Sequence, residues 1–474
     1  MKRVILIYIL LCFAGLASAQ PDRTHAPEPG KAKKLELGNY DTFKLDNGLT
    51  VILVQNHKLP TVSFSLQLDY DPVLEGAKSG TASLAGSLLR SGTVNRTKQE
   101  IDEAVDFIGA TLNTSSSGIY AAGLKKHTDE LLDVMTDILY HPVFPVKEFE
   151  KQKKQTLSAL KLNSTDAGTI AATVANVLRF GKDHPYGEPV TEETIGQVTL
   201  DGVKSFYHTY FRPNVAYLIM IGDLTADESR KLAQTYFSSW EQATVPSHAY
   251  PDPKPISGVR VAVVDKPGAV QSVVKITWPL KLKPGDPEEI PAKMMNNILG
   301  GGVFSGRLMM NLREDKAYTY GATSGLHSDR LIGYFEAGAQ VAKAVTDSAI
   351  TQFFYEIRRM RDEPVSPEDL QLNKNVIAGQ FARSLENPQT VASFALNTIR
   401  YHLPQDYYAT YLEKMDRVTV PDIQQSARKY LHPDSCIVLV VGDRQALAGK
   451  LKQFATGGTV EFYDRYGNPV NFKK

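Results

Sequence analysis

Of 474 residues only two are cysteine, Cys12 and Cys436. Cys12 falls in the apolar run that opens the chain. The remainder therefore holds a single thiol and cannot build an internal disulfide framework. Excess charge is also missing. Lys plus Arg number 53 and Asp plus Glu 52, a balance that argues against a nucleic-acid or anionic-membrane partner. The apolar run from Val4 to Leu16 is too short for a membrane anchor. The most telling absence concerns histidine. The ten histidines, at 25, 57, 127, 141, 184, 208, 248, 327, 402 and 432, occur singly, and none is four residues from another. Two histidines four apart share a helix face and can grip one metal ion. That arrangement is excluded here.

What is present begins with an address. Met1-Lys-Arg3, the run Val4 to Leu16 and Ala17-Ser-Ala19 form the basic start, apolar core and small-residue cleavage site of a secretory signal. Cleavage after Ala19 leaves an exported protein, with the periplasm as the expected compartment and no membrane insertion afterwards. Residues 20–37, rich in Pro, Lys, Gly and Ala, read as a disordered leader. Cys436 opens Cys436-Ile-Val-Leu-Val-Val, which reads as a buried strand, so its thiol is expected to be a core group. A hydrophobic fraction of 42% supports a well-packed protein, and the length calls for two or more domains.

The chain repeats itself at an offset of 220 residues. Gln197-Val-Thr-Leu-Asp-Gly-Val-Lys-Ser-Phe-Tyr aligns with Arg417-Val-Thr-Val-Pro-Asp-Ile-Gln-Gln-Ser-Ala. Each copy runs on through a proline, Pro213 or Pro433, into an apolar strand ending in Gly222-Asp223 or Gly442-Asp443. Thr199 and Thr419 read as helix N-caps. Two homologous halves are expected, 38–243 and 258–474, joined by a proline-rich linker at 244–257 whose prolines deny helix and central-strand geometry. Strands are predicted at Thr50–Val54, Thr61–Asp69, Val259–Val264 and Gln271–Trp278, with a tight turn at Asp46-Asn-Gly48. The alternation in Thr61–Asp69 predicts one wetter face. Helices are predicted at Lys98–Ile108, Glu130–Leu139, Phe149–Leu162, Ala344–Arg361 and Pro367–Leu385. Strands bunched around helical pairs give an α+β sandwich in each half.

The segment Gly80-Thr-Ala-Ser-Leu-Ala-Gly-Ser-Leu-Leu-Arg-Ser-Gly-Thr-Val-Asn-Arg-Thr97 resembles the zinc-binding helix of pitrilysin/insulinase-type metallopeptidases, where the frame reads G-x-A-H-x-x-E-H and runs on to N-R-T. Ser83 and Ser87 stand where the resemblance places the histidine ligands, and Gly86 where it places the general-base glutamate. The third ligand, a glutamate on a later helix, falls on Ala159 to within a residue or so. A neutral hydroxyl is a poor zinc donor and glycine supplies no base. No catalytic zinc is expected in this chain. Restoring all four ligand and base residues together is expected to create zinc affinity.

The resemblance extends over nearly the whole chain after the leader. It implies two pitrilysin- or mitochondrial-processing-peptidase-like domains forming half of a clamshell. In the second half, the glycine-rich segment Gly300, Gly301 and Gly302 precedes Leu312-Arg-Glu, and Tyr320 follows Arg313 at the family's spacing. In active relatives this arginine and tyrosine reach a substrate beside zinc held by another domain or chain, and the glycine-rich loop contacts peptide. The resemblance thus implies a non-catalytic subunit of an exported heterodimeric zinc endopeptidase. Arg313 and Tyr320 would act in the partner's site, and zinc would be held by the homologous partner subunit. The substrate is expected to be an extended peptide. Two alternatives stand beside this: a scaffold protein, and a stand-alone peptide-binding protein without proteolysis.

Overall fold

The structure, a computed structural model, describes residues 38–302 and 305–471. The expected signal peptide and leader lie outside them. Strands β1 (Asp41–Lys44), β2 (Thr50–Gln55), β3 (Thr61–Leu68), β4 (Thr111–Ser115), β5 (Gly118–Leu124) and β6 (Ala216–Gly222) belong to the first half. The second half contributes β7 (Val259–Asp265), β8 (Gln271–Leu280), β9 (Thr319–His327), β10 (Gly333–Ala342), β11 (Cys436–Gly442) and β12 (Val460–Tyr463). The first sheet runs β1-β2-β6-β3-β5-β4 and the second β12-β7-β11-β8-β10-β9. Five positions match one for one. At the sixth, β1 lies antiparallel to β2, whereas β12 lies parallel to β7. The first half thus takes its outer strand from its beginning and the second from its end.

The helices of the first half are α1 (Thr81–Leu88), α2 (Lys98–Phe107), α3 (Thr128–Tyr140), α4 (Val146–Asn163), α5 (Ala167–Phe180), α6 (Glu192–Gln197), α7 (Leu200–Tyr210) and α8 (Ala226–Phe237). Those of the second are α9 (Glu289–Asn296), α10 (Thr346–Asp362), α11 (Pro367–Ser384), α12 (Pro388–Arg400), α13 (Tyr411–Asp416), α14 (Val420–Tyr430) and α15 (Arg444–Leu451). The two repeated segments are α7 and α14. Each opens on its threonine: Thr199 Oγ1 accepts from the Gly202 amide and Thr419 Oγ1 from the Asp422 amide. These caps satisfy donors that the first turn leaves orphaned. β3 alternates buried and half-buried residues, so its expected wetter face is present. Cys436 is fully buried at the start of β11, and burial pushes its thiol pKa up to about 12.

The packing of the halves is reciprocal. A large core in each half lies between one face of its sheet and its own helices. The opposite face is covered by a helix from the other half. Ile170, Ala171, Val174 and Ala175 of α5 pack on Val264, Ile437, Leu439 and Val441 of the second sheet. Val391, Ala392, Ala395 and Leu396 of α12 pack on Ile52, Val54, Ile219 and Ile221 of the first. Burying each large aliphatic side chain contributes about 1.5–3 kcal/mol, so both exchanged helices bind the halves strongly together. Ion pairs reinforce the join. Asp69 accepts from Arg400 at 2.6 Å and lies 2.9 Å from Arg330, while the buried Arg179 reaches Glu336 at 2.6 Å. Residues 244–257 form neither helix nor strand, yet they are pinned: the His248 amide and Ser247 Oγ donate to Asp71, and Tyr250 Oη to the Pro72 carbonyl.

Candidate functional site

α1 (Thr81–Leu88) is capped by a carboxylate from the segment before it. The Gly80 and Ala82 amides at its N-terminus donate to the Glu75 carboxylate, each at 2.6 Å. Burial pushes the Glu75 pKa up despite those bonds. Leu84, Ala85 and Leu88 face the core, which turns Ser83 and Ser87 outward on the exposed side. Ser87 Oγ donates to the Ser83 carbonyl at 3.0 Å, so one of the two hydroxyls is tied back to its own helix. Ala159 lies exposed on α4, on the face that carries Gln152 and Gln155. Those two glutamines and Ser87 line one cavity of about 610 Å³. The three ligand positions therefore lie on two packed helices, α1 and α4, but they offer two hydroxyls and a methyl group. That donor set does not fit zinc. Among the described residues no three His, Cys, Asp or Glu side chains gather into a metal-holding group.

Gly86 requires a correction to the restoration expected from sequence. A Cβ on Gly86 would sit 2.1 Å from the Ser116 amide nitrogen and 2.2 Å from the Ser115 carbonyl carbon. The β4–β5 hairpin backbone occupies the room that a glutamate side chain needs. Gly86→Glu, which restores the base, therefore requires this hairpin to move, whereas the ligand positions Ser83, Ser87 and Ala159 are exposed. The position of the Ser115-Ser-Ser-Gly118 turn over α1 joins residues distant in the chain, and the local sequence carries no sign of it.

The rest of the frame survives for structural reasons. Asp137 of α3 is buried. It receives Thr93 Oγ1 at 2.7 Å, Asn95 Nδ2 at 2.6 Å and Arg96 Nη1 at 2.7 Å. Burial works to raise its pKa, but these bonds and the Arg96 charge hold it below the usual aspartate value. Thr97 then caps α2 in a reciprocal box with Glu100. The N-R-T text thus latches a turn and carries no chemistry of its own.

In the second half the glycine-rich segment is not an open loop. Asn297–Gly301 forms a π-helical turn closed by the Gly302 amide on the Asn297 carbonyl, at 2.9 Å. Gly300 is buried, and a Cβ there would come within 2.7 Å of the Ser324 amide on β9 and of Leu308. Gly301 is exposed and Gly302 buried. A second π-helical turn, Met310–Asp315, carries Arg313. Asn311 pins it, donating to the buried Glu356 at 2.7 Å and to Gln352 at 3.1 Å. Ala317 follows at φ +54°, a left-handed conformation that disfavours a side chain. Arg313 is partly exposed and pairs with Glu314 at 3.5 Å.

Tyr320 lies at a β-bulge on the edge strand β9. Thr319 pairs with Val341 and Ala322 with Ala339, so two residues of β9 face Gln340 alone. Thr319 Oγ1 bridges the gap, accepting from the Gly321 amide and lying 2.7 Å from the Gln340 carbonyl. Bulges and π-turns both re-aim side chains and cluster at functional positions. Tyr320 is 91% exposed. Arg313 and Tyr320 therefore flank one strained turn at a sheet edge, presented outward.

Comparison with known proteins points to one family, whose members include chains named zinc proteases and chains named non-peptidase or inactive. The family model for insulinase (peptidase family M16) matches residues 50–174, and that for the peptidase M16 inactive domain matches residues 197–377. A Helicobacter pylori protein named non-peptidase homolog YmxG is 22% identical, over 83% of this chain and 92% of its own length. An Arabidopsis thaliana protein named as a probable beta subunit of the mitochondrial-processing peptidase is 20% identical, over 85% and 78%. The solved structure of a peptidase M16 inactive domain from Pseudomonas fluorescens superposes with a TM-score of 0.77 at 20% identity, covering 85% of this chain and 98% of that one. The periplasmic protease PqqL from Escherichia coli gives 0.71 at 14% identity, over 90% and 48%. At these identities the structural likenesses establish the fold.

Proposed function

The chain belongs to peptidase family M16, the insulinase family, and from that premise we propose that it is a non-catalytic, substrate-binding subunit of an exported zinc endopeptidase. Its partner is a homologous chain that keeps the histidine–glutamate helix and holds the zinc. Arg313 and Tyr320 complete that partner's site by donating hydrogen bonds to the peptide carbonyl oxygen as it gains charge. Gly301, exposed on its π-turn, lets an extended peptide approach the backbone beside β9.

The observation that carries this reading is the contrast between the two helical sites. The first has lost every metal ligand, and the β4–β5 hairpin fills the room its base would need. The second uses a bulge, two π-turns and a left-handed alanine to present two hydrogen-bond donors. Relatives named non-peptidase homolog and probable inactive metalloprotease support the absence of catalysis in this chain. A relative named as a subunit supports pairing. The apolar leader and the periplasmic protease among the structural neighbours support export.

The test is peptide hydrolysis with added zinc, using this chain alone and then mixed with an exported homologue whose zinc helix is intact. Activity beyond the homologue's own, appearing only in the mixture, is the expected result. Chelator-sensitive activity from this chain alone overturns the proposal. No gain in the mixture shifts the weight to a scaffold or a stand-alone peptide binder.

A further inference from the structure

The internal repeat gives the strands and helices of the first half counterparts in the second. Leu66 faces Leu218 and Ile119, while Ile276 faces Val438 and Ala337. The strand registers therefore lay Leu66 on Ile276. Thr114 faces Ile119 and Ser324 faces Ala337, which lays Thr114 on Ser324. The helices follow the same superposition to within about a residue: Gly86 rests against Ser115, the neighbour of Thr114, and Asn296 exchanges hydrogen bonds with Ser324. Ser83 thus corresponds to Lys293. α4 and α11 are equally long, so Ala159 corresponds to Gln380.

Lys293 and Gln380 both line one cavity of about 500 Å³. The place that matches the lost metal position is therefore a cavity in the second half. Its walls are aromatic. Tyr411, Phe381, Phe394 and Tyr408 form a continuous stack with centroid separations of 5.1, 5.6 and 3.9 Å. Its floor is polar but electrically closed. The buried Glu289 accepts from Lys293 at 2.7 Å, Ser328 at 2.6 Å, Tyr407 at 3.2 Å and the Gly285 amide at 2.7 Å. No uncompensated charge remains on that floor to attract an ion. The volume lies in the range of small-ligand sites, and stacked rings favour a ring inserted edge or face on.

We propose that this cavity receives an aromatic side chain of a bound peptide, giving the chain a preference for substrates that carry one. The proposal rests on the peptide-binding reading above. It assigns selectivity to α9, α11 and α12 rather than to the β9 edge.

The probes are a capped, dye-labelled peptide with one phenylalanine and its twin with alanine in that position, titrated against the full chain. The phenylalanine peptide should bind about tenfold or more tightly than its twin. Two cavity-filling variants, Ser384→Trp and Gln380→Trp, should each bring the ratio of the two affinities toward one, with thermal melting used to confirm folding. Equal affinity of the two peptides for the wild type overturns the cavity assignment and leaves peptide binding standing. A preference that survives in both filled variants overturns it as well. If neither peptide binds the wild type, the peptide-binding reading fails and the cavity assignment fails with it.

Discussion

The two halves of this molecule share the order of five strands and most of their helix sequence, yet they treat the same structural position in opposite ways. In the first half, α1 carries Ser83, Gly86 and Ser87, and a serine-rich hairpin lies directly on the glycine. In the second, the counterpart helix runs into a glycine-rich π-turn, and a second π-turn carries Arg313 ahead of Tyr320. Left-handed non-glycine backbone occurs in both halves, at Phe144 in the first and at Ala317 and His402 in the second. Ala317 and the bulge at Tyr320 sit beside the second site. The first site has relaxed into ordinary packing, with Ser87 bonded to its own helix. Irregular backbone persists only when the surroundings over-determine it, and here it persists where two donors face outward. Loss of a metal site therefore need not be confined to its ligands. The neighbouring backbone can take up the room of the general base, after which the missing ligands are only part of what was lost.

That contrast can be broken or sharpened by substitution. The largest effect is expected at Gly86. Gly86→Ala should cost about 3 kcal/mol or more in denaturant unfolding, and Gly86→Glu more still, because a side chain must displace the hairpin backbone. The matching change Asn296→Ala removes only hydrogen bonds to Ser324 and should cost about 1–2 kcal/mol. Equal costs at the two positions would mean that the hairpin yields easily and the first site is merely unfilled.

A smaller effect of about 2 kcal/mol is expected from Asp137→Asn, which weakens the latch on the N-R-T turn. It should change stability without changing any peptide-binding property of the second half. Its pH signature follows from the lowered pKa. The stability that Asp137 contributes is fully present above the ordinary aspartate value and is lost as pH falls through the lower folded value. Unfolding midpoints between about pH 6 and about pH 3 should therefore fall less steeply in Asp137→Asn than in the wild type. The smallest effect concerns Ala317→Gly. Relief of the left-handed strain should stabilise the fold by about 0.5–1 kcal/mol while loosening the turn between Arg313 and Tyr320.

Much of this architecture was legible in the sequence. The helices predicted at Lys98–Ile108, Phe149–Leu162 and Pro367–Leu385 match α2, α4 and α11, with the starts at Lys98 and Pro367 unchanged and the other ends shifted by one to three residues. The repeat placed β6 and β11, and the threonine caps of α7 and α14 were readable from residue type alone. The exchange of α5 and α12 was not readable. Ile170, Ala171, Val174 and Ala175 form an apolar helix face, and periodicity says that such a face is covered without saying by which sheet. The outer strands β1 and β12 are only four residues long, too short for an alternation signal. The serines at the ligand positions were legible one by one. The plug over Gly86 was not, because it joins residues distant in the chain. The same holds for the bulge at Tyr320, which exists only relative to the register of β10.

Whether the second half supplies chemistry that the first has lost is tested most directly by the turnover of the reconstituted pair. This chain would carry Arg313→Ala or Tyr320→Phe, with assembly followed by co-elution. Intact assembly and a fall in turnover of about ten- to thousand-fold are expected for each variant. Turnover unchanged in both variants, with assembly intact, would contradict that role for the second half.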